Sequence, residues 1–475
     1  MKNKFLLISI LLYTLHFTLY ADVPPGFEVY FNNPTGTQDT NIPGLDFRFK
    51  NFVDLASDTT IYAAFYDIDN STVIAALNSA LNRGCDVYIV INSTGAGSPA
   101  VLSQILTPHK KFRNEKASPA GLMHNKFCVI KDSSVWTGSW NATYNCTCRN
   151  NNNAIVLRSA AVAKIYENEF LEMYNNNRYG SAKTLPTDHW NGKTEYVNGV
   201  KVKIYFSPYS NPRRTSDAIR NEIKGITTGT DQFTGAEDSI YIAMYASNDD
   251  NIGDDVIKKF QSEVKTLGIF DAGQAESSGS NSLFFKFKDV NIPVVLDGNP
   301  DKLHHKFGII DVGCAKARVI TGSHNWTTKA SGDNDENTLI IYSTGIAKMY
   351  YEEFQKLYLQ AGPAATPSKK SVADVVVYPS PARNKTTIGF EISSNVTAVT
   401  VKIYTLSGEL VWECNPIITP GVYNEVPWDC VNDDDEKVAS GLYILKIEAT
   451  TADKTFFATE KFAVIKTSYK KSSKK

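Results

Sequence analysis

The peptide His124-Asn125-Lys126-Phe127-Cys128-Val129-Ile130 recurs later in the chain as His304-His305-Lys306-Phe307-Gly308-Ile309-Ile310. Each copy leads into a turn of the same type, Gly138-Ser139-Trp140-Asn141 in the first and Gly322-Ser323-His324-Asn325 in the second. A single His-x-Lys is uninformative, because so short a pattern arises often by chance. Two copies with the same apolar run and the same turn indicate an internal duplication.

The duplication extends beyond this motif. The matched segments are 29–31 with 204–206, 60–66 with 239–245, and 163–170 with 347–354. They alternate between apolar runs typical of buried strands and amphipathic helical patterns, which is the order expected of α/β units. We therefore predict an α/β fold with two pseudo-symmetric halves, residues 22–180 and 195–360. Packing about a pseudo-twofold axis would bring both motifs into one shared active site.

The duplicated motif supplies the side chains that are needed to attack a phosphodiester. Lysine and amide groups can neutralise the charge on the non-bridging oxygens. One neutral histidine can act as nucleophile, and a second, protonated histidine can act as general acid. His124 and His304 are the candidates for these two roles. The candidates for holding the substrate phosphate are Lys126, Lys306, Asn141 and Asn325. The further substrate-binding candidates are Ser139, Ser323 and Glu336.

These motifs resemble those of the phospholipase D superfamily, whose signature is H-x-K-x4-D followed by G-S-x-N. The resemblance covers about residues 25–360. It implies a hydrolase that cleaves phosphodiesters through a covalent phosphohistidine, without a metal ion or any other cofactor. A zinc site is also not expected from the cysteines, since no Cys-x2-Cys pair faces another at metal spacing.

The two copies differ at the carboxylate of this signature. Asp311 occupies that position in the second copy, where Glu336 also follows the Gly-Ser-x-Asn turn. The first copy has Lys131 in place of the aspartate and no carboxylate in the place that corresponds to Glu336. A carboxylate that accepts a hydrogen bond from one ring nitrogen makes the other nitrogen a better nucleophile. We therefore predict that His304, assisted by Asp311 or Glu336, is the nucleophile and that His124 is the general acid.

The N-terminus has the pattern of a secretory signal peptide. Two lysines precede an apolar run at 6–20, and Ala21 offers a small residue for cleavage. We expect residues 1–21 to be removed and the mature protein to be secreted, periplasmic or on the surface of a bacterial cell. Loss of Lys2 and Lys4 would lower the net charge from −1 to −3.

Composition bears on the substrate. Proteins that hold long nucleic acids usually carry a basic excess, which this chain does not have. A phospholipid at a membrane surface is therefore the expected substrate. Two alternatives stay open, an extracellular nuclease of the same superfamily and a degenerate protein that binds phosphate without turnover. The oligomeric state is also open.

Beyond a proline-containing linker at 361–373, the pattern changes to short alternating strands, which are predicted at 375–378, 386–392, 400–404, 409–412, 442–448 and 456–465. Residues 374–466 are expected to form an all-β sandwich, and 467–475 a basic tail. The sandwich segment resembles the Ig-like domain of the flagellar hook-capping protein and the sorting domains of type IX secretion, which implies secretion machinery as a partner. Cys414 and Cys430 both lie in this segment, so a disulfide between them is plausible.

Overall fold

The structure is a computed structural model that describes residues 23–34, 44–92, 103–113, 121–183, 192–208, 214–225, 235–361, 372–378, 380–393, 395–420, 423–452 and 454–465. The expected signal peptide and basic tail lie outside these residues. The chain divides into two compact units, Met1–Gly362 and Pro363–Lys475. The division falls inside the predicted linker, most of which is also outside the described residues. No helix in the described ranges combines the length and the apolar character that crossing a membrane requires.

The first half of unit 1 contains a seven-stranded mixed sheet, in the spatial order β1-β8-β6-β5-β2-β3-β4. Its strands, with the two-residue β7 that lies outside this sheet, are β1 (Phe27–Phe31), β2 (Thr60–Phe65), β3 (Asp86–Asn92), β4 (Lys110–Arg113), β5 (Lys126–Ile130), β6 (Ser134–Gly138), β7 (Asn150–Asn151) and β8 (Asn153–Arg158). The helices are α1 (Leu45–Val53), α2 (Ser71–Asn82), α3 (Tyr144–Cys148) and α4 (Ala160–Tyr174), followed by a 3₁₀ turn, Gly180–Ala182.

The second half repeats this order and adds one edge strand, giving β13-β12-β11-β15-β16-β17-β10-β9. Its strands, with the two-residue β14 outside the sheet, are β9 (Lys193–Val197), β10 (Val200–Ser207), β11 (Ser239–Met244), β12 (Lys265–Phe270), β13 (Val294–Leu296), β14 (Lys302–Leu303), β15 (Lys306–Ile310), β16 (Arg318–Gly322) and β17 (Glu336–Ile341). The helices are α5 (Arg214–Lys224), α6 (Asp250–Gln261), α7 (Ala272–Ser278), α8 (Leu283–Asp289), α9 (Thr328–Gly332) and α10 (Thr344–Gln360), with a 3₁₀ turn at Gly279–Asn281. The prediction of two pseudo-symmetric α/β halves is confirmed.

The two halves share one apolar core. The long helix that closes each half also contacts the first long strand of the other: the ring of Tyr166 on α4 lies 5.1 Å from that of Phe206, and Tyr350 on α10 lies 5.0 Å from Phe31. Tyr166, Phe206 and Tyr350 belong to one buried cluster, and Phe31 packs against it. This cluster contains residues of both sheets. Separate clusters lie beneath α1 and α2 in the first half and beneath α6 and α8 in the second. This shared core fixes the two halves against each other and holds the central strands β5 and β15 in place.

Unit 2 is all β, as predicted, and has its own core around Trp428 and Phe462. Its sheets have the orders β18-β19-β22 and β21-β20-β23-β24. The strands are β18 (Val372–Tyr378), β19 (Thr386–Ile392), β20 (Val396–Thr405), β21 (Leu410–Cys414), β22 (Tyr423–Trp428), β23 (Gly441–Thr451) and β24 (Thr455–Val464). Sequence patterning misses β22, which contains Pro427. The structure places β22 at a sheet edge, where a missing backbone N–H is tolerated.

The suggested disulfide in unit 2 is wrong for this structure, in which Cys414 and Cys430 are both free thiols. Cys414 ends β21 and pairs with Val401 in the four-stranded sheet. Cys430 follows β22, which belongs to the other sheet. The two residues therefore share a module without being bonded.

Candidate active site

Both motif histidines line one cavity of about 580 Å³ between the halves of unit 1. Each precedes a central strand, β5 or β15, whose first residue is the motif lysine. Side chains two residues apart on extended backbone point to the same side. His124 and Lys126 therefore face the site together, as do His304 and Lys306. Each lysine Nζ donates to the carbonyl of its own histidine at 2.8 Å, which fixes the ammonium group beside the ring.

The residue between histidine and lysine points the other way, into the seam between the halves. Asn125 accepts a hydrogen bond from Asn337 Nδ2 at 3.1 Å, and His305 Nδ1 lies 3.4 Å from Asn153 Oδ1. All four residues are buried. The variable position of the motif thus helps to join the halves, while the histidine lines the cavity with the lysine held behind it.

His124 is held by a carboxylate from the opposite half. Its Nδ1 lies 2.8 Å from both oxygens of Glu336, which also accepts from Ser323 Oγ at 2.7 Å and from Asn334 Nδ2 at 3.3 Å. A carboxylate can only accept, so Nδ1 of His124 carries the hydrogen. Nε2 then presents its lone pair for attack.

His304 is held in the same way by an amide from the first half. Asn152 Oδ1 lies 2.8 Å from Nδ1 of His304 and also accepts from Ser139 Oγ at 3.1 Å. Asn152 Nδ2 donates to the carbonyls of Cys146 at 2.9 Å and Asn150 at 3.1 Å. A carboxylate here would face two carbonyl oxygens without a proton to offer. The local backbone thus explains why an amide stands where the other half has Glu336.

Burial and charge set the resting protonation state of this site. Burial lowers the pKa of His124 to about 4, although Glu336 raises it in part. Burial, and then Lys306 and Lys126, lower the pKa of His304 well below its usual range. Although burial alone would raise it, His124 and Lys126 lower the pKa of Glu336. Both histidines are therefore neutral near pH 7, beside an ionised Glu336.

The two motif lysines are both buried, and the charge of Lys126 acts on Lys306. Burial lowers the pKa of Lys126 to about 8. Burial and then the nearby Lys126 lower the pKa of Lys306 well below its usual range. Two buried ammonium groups that destabilise each other favour the binding of an anion between them.

The remaining wall of the cavity is polar. Asn141 and Asn325 line it at symmetric places, each with a buried Oδ1 that has no hydrogen-bond partner. Sequence analysis named both, but missed Tyr66 and Tyr245, whose rings lie 5.1 and 4.9 Å from His124 and His304. A signal for the tyrosines was available, because each directly follows a matched strand, β2 or β11.

Several sequence-based roles need correction. Ser139, Ser323 and Glu336 are fully buried and hold the histidine partners or a histidine itself, rather than binding substrate. Asp311 lies at the far end of β15 from His304, roughly 20 Å along an extended strand. There it accepts from the backbone N–H groups of residues 237–239 and from Arg318 at 3.1 Å.

Asp311 therefore closes a strand end and contacts neither motif histidine within the described residues. Lys131 occupies the equivalent strand end in the first half, where it is exposed and remote from His124. The lysine that stands in place of the aspartate therefore does not affect the cavity. The premise that Asp311 or Glu336 assists His304 is wrong. The carboxylate of the second copy serves the histidine of the first, which a comparison of the copies one at a time could not reveal.

Known proteins similar to this chain include a mitochondrial cardiolipin hydrolase of Chlamydomonas reinhardtii, 29% identical over 170 residues that make up 34% of this chain and 74% of that protein. A phospholipase D of Rickettsia typhi is 27% identical over 164 residues, 34% of this chain and 78% of that protein. The match to this chain spans 48% to 60% of the length of other mitochondrial cardiolipin hydrolases. Among solved structures, a phosphatidylserine synthase of Haemophilus influenzae overlaps 70% of this chain and 86% of its own at 13% identity and a TM-score of 0.49. An overlap at this level bears on neither substrate nor mechanism.

Two family models match. The FlgD Ig-like domain matches residues 377–453, within unit 2. The model described as "Cardiolipin synthase, PLD-like domain" matches residues 51–174 and 230–358. This second match spans more than half of the chain and includes both motif histidines, so the chain belongs to the phospholipase D-like family of phosphodiesterases.

Proposed function

We propose that this protein is an exported phosphodiesterase that hydrolyses a phospholipid headgroup ester through a phosphohistidine on His124. The observation that carries the proposal is the cross-half arrangement at the cavity. Two neutral histidines, each held at Nδ1 by a residue of the other half, flank a buried pair of lysines. This arrangement has the groups that a two-step displacement at phosphorus requires.

In the first step, Nε2 of His124 attacks phosphorus as the bond to the leaving oxygen breaks. Glu336 stabilises the positive charge that develops on the ring, as a buried carboxylate hydrogen-bonded to Nδ1 does in other histidine-dependent sites. Lys126 and Lys306 neutralise the non-bridging oxygens. His304 protonates the leaving alcohol.

His304 must first gain that proton. Lys306 and Lys126 help to keep it neutral in the empty site, and a bound phosphodiester anion offsets their charge. Substrate binding therefore promotes protonation of the general acid. In the second step, the now neutral His304 takes a proton from water, which attacks phosphorus and releases His124.

The charge of the cavity wall supports a lipid headgroup over a long nucleic acid. Asp67, Asp69 and Asp301 line it, against Lys302 and Lys329 beyond the buried motif. A strand of nucleic acid carries a phosphate at every step and requires a continuous basic track. A cavity of about 580 Å³ is of the size that accepts a small molecule or a headgroup. The names of the curated relatives, cardiolipin hydrolase and phospholipase D, agree with this choice.

The test is to assay one purified preparation against phosphatidylcholine vesicles, cardiolipin vesicles, plasmid DNA and bis(p-nitrophenyl) phosphate. We expect cleavage of the small diester and of at least one lipid, with release of the headgroup alcohol. Cleavage of DNA with intact lipids would establish a nuclease instead. Phosphate binding without turnover of any of the four would establish a degenerate binding protein.

Activity is expected to survive exhaustive chelation with EDTA. The positive charge at the phosphate comes from Lys126 and Lys306, and the nucleophile is a histidine that is already neutral. The measurement is the rate of bis(p-nitrophenyl) phosphate hydrolysis before and after chelation. If EDTA abolishes turnover and a divalent ion restores it, the proposed chemistry is wrong.

Removal of residues 368–475 is expected to leave the specific activity of the catalytic unit largely unchanged. The cavity and the clusters that support it belong to unit 1, whereas unit 2 has a cluster of its own. We propose that unit 2 serves export or surface retention, so the truncated chain should differ in location. Assays of the resulting fragment, which ends at Pro367, beside fractionation of the producing cells, separate the two effects. A folded fragment without phosphodiesterase activity would show that unit 2 completes the site.

A further inference from the structure

Asp335 is a buried carboxylate that lies between Asn334 and the histidine partner Glu336, outside the cavity wall. Its side chain is fully buried and forms ion pairs with Arg113 and, at 3.0 Å, with Lys183 Nζ. Its Oδ1 also accepts from the backbone N–H of Gly180 at 2.7 Å. These three partners come from the first half of unit 1 or from the segment that follows it. Arg113 and Lys183 are themselves 2% and 0% exposed, so the charges are held in the seam between the halves.

The main chain of Asp335 joins the same seam at the catalytic histidine. Its carbonyl accepts from the N–H of His124 at 2.9 Å, and its N–H donates to the carbonyl of Leu122 at 2.8 Å. One residue thus carries two backbone bonds to the His124 segment and ion pairs to the body of the first half. The next residue, Glu336, reaches Nδ1 of His124 at 2.8 Å.

At the corresponding place beside His304, an amide stands where the first seam has the Asp335 carboxylate. The residue that corresponds to Asp335 is Asn151, which pairs with Leu303 beside His304, as Asp335 does with Met123 beside His124. Its Oδ1 accepts from Asn299 Nδ2 at 2.6 Å. The chain therefore places two adjacent carboxylates in the seam that holds His124, and two adjacent amides in the seam that holds His304.

This difference matters because Glu336 has competing partners. Burial raises the pKa of Glu336, whereas His124 and then Lys126 lower it, so the Lys126 ammonium group also attracts the carboxylate. Where the Glu336 carboxylate lies between these partners depends on where its backbone is held. The bonds of Asp335 to Arg113 and Lys183 fix that backbone.

We propose that Asp335 is a positioning residue that, through Glu336, sets the tautomer of His124. The proposal deepens the proposed function and rests on His124 as nucleophile. Asp335 touches neither the substrate nor the reacting atoms. Without its charge, the Glu336–His124 contact loosens, and a fraction of His124 adopts the tautomer whose Nε2 carries hydrogen and cannot attack.

The test is Asp335→Asn in the full chain, a nearly isosteric change that removes the charge and replaces one acceptor oxygen with an amide donor. We expect kcat for bis(p-nitrophenyl) phosphate to fall roughly 10- to 100-fold, the cost typical of a group that orients a catalytic residue, with little change in KM. In ¹⁵N-histidine-labelled protein, the His124 ring signals, assigned by their absence in His124→Ala, should move toward the Nε2–H tautomer. Arg113→Lys keeps the positive charge and should lower kcat and shift the His124 tautomer in the same direction, but by less. This variant replaces Asp335→Asn in the test if the asparagine variant does not fold.

The matched control is Asp311→Asn, which removes another fully buried, arginine-paired carboxylate at the far end of β15. It should lower thermal stability while leaving the His124 signals and kcat unchanged. A folded Asp335→Asn protein with the wild-type tautomer would overturn the proposal. If the wild-type protein hydrolyses none of the substrates, the proposed function fails, but the ring signals still report whether Asp335 positions His124.

Discussion

His124→Ala is expected to abolish hydrolysis of every substrate, with a loss of roughly 10⁴-fold or more, because no other group can form the covalent intermediate. His304→Ala should be equally damaging for a lipid, whose alkoxide leaves only when protonated. With bis(p-nitrophenyl) phosphate the two variants should separate. The p-nitrophenolate leaves without a proton, so His304→Ala should still complete the first step.

The second step still needs His304 to take a proton from water. His304→Ala should therefore release about one equivalent of p-nitrophenolate per enzyme in a burst and then stall. Mass spectrometry of the stalled protein should find a mono-p-nitrophenyl phosphate group, the part of the diester that remains after the first step, on His124. His305→Gln is the matched control, because His305 is equally buried beside the motif but faces the seam. A burst in His124→Ala, or phosphate on His304, would reverse the two roles.

Much of this architecture could be predicted from the sequence because the sequence contains an internal duplication. Matched strands and helices, such as 60–66 with 239–245, predict two halves of the same order, and the structure has them. The histidine, lysine and asparagine candidates depend on the motif alone, and His124, His304, Asn141 and Asn325 line one cavity. The strand β22 was missed because Pro427 weakens a pattern that an edge position tolerates.

Which partner serves which histidine could not be predicted, because it depends on how the halves meet. Within one copy, Glu336 is close in sequence to His304, and pairing the two was the natural expectation. The twofold arrangement instead carries Glu336 to His124 and Asn152 to His304. In the shared site, each histidine is held by a residue of the other copy. Pairing a histidine with the carboxylate or amide of its own copy therefore selects the wrong partner. Because of this exchange, we propose His124 as the nucleophile in place of His304.

Glu336→Gln tests that exchange and is expected to lower kcat roughly 10²- to 10³-fold, the cost of removing one group that stabilises transition-state charge. The amide oxygen can still accept from Nδ1, as Asn152 does for His304, so the variant removes the charge and keeps a hydrogen bond. The matched control is Glu353→Gln, since Glu353 is a buried glutamate 3.4 Å from the seam histidine His305. It should leave kcat nearly unchanged.

The pH dependence of kcat/KM for Glu336→Gln also tests whether Glu336 serves His124. His124 attacks only when neutral, so activity falls as the pH drops through its pKa. Burial lowers that pKa to about 4 even though Glu336 raises it. Removing the carboxylate takes away the raising contribution, while Lys126 and Lys306 keep lowering the pKa. The acid limb of kcat/KM for Glu336→Gln should therefore lie at lower pH than in the wild type, even though the rate is reduced at every pH. A limb that moves to higher pH, or a variant with wild-type kcat, would mean that Glu336 does not serve the nucleophile.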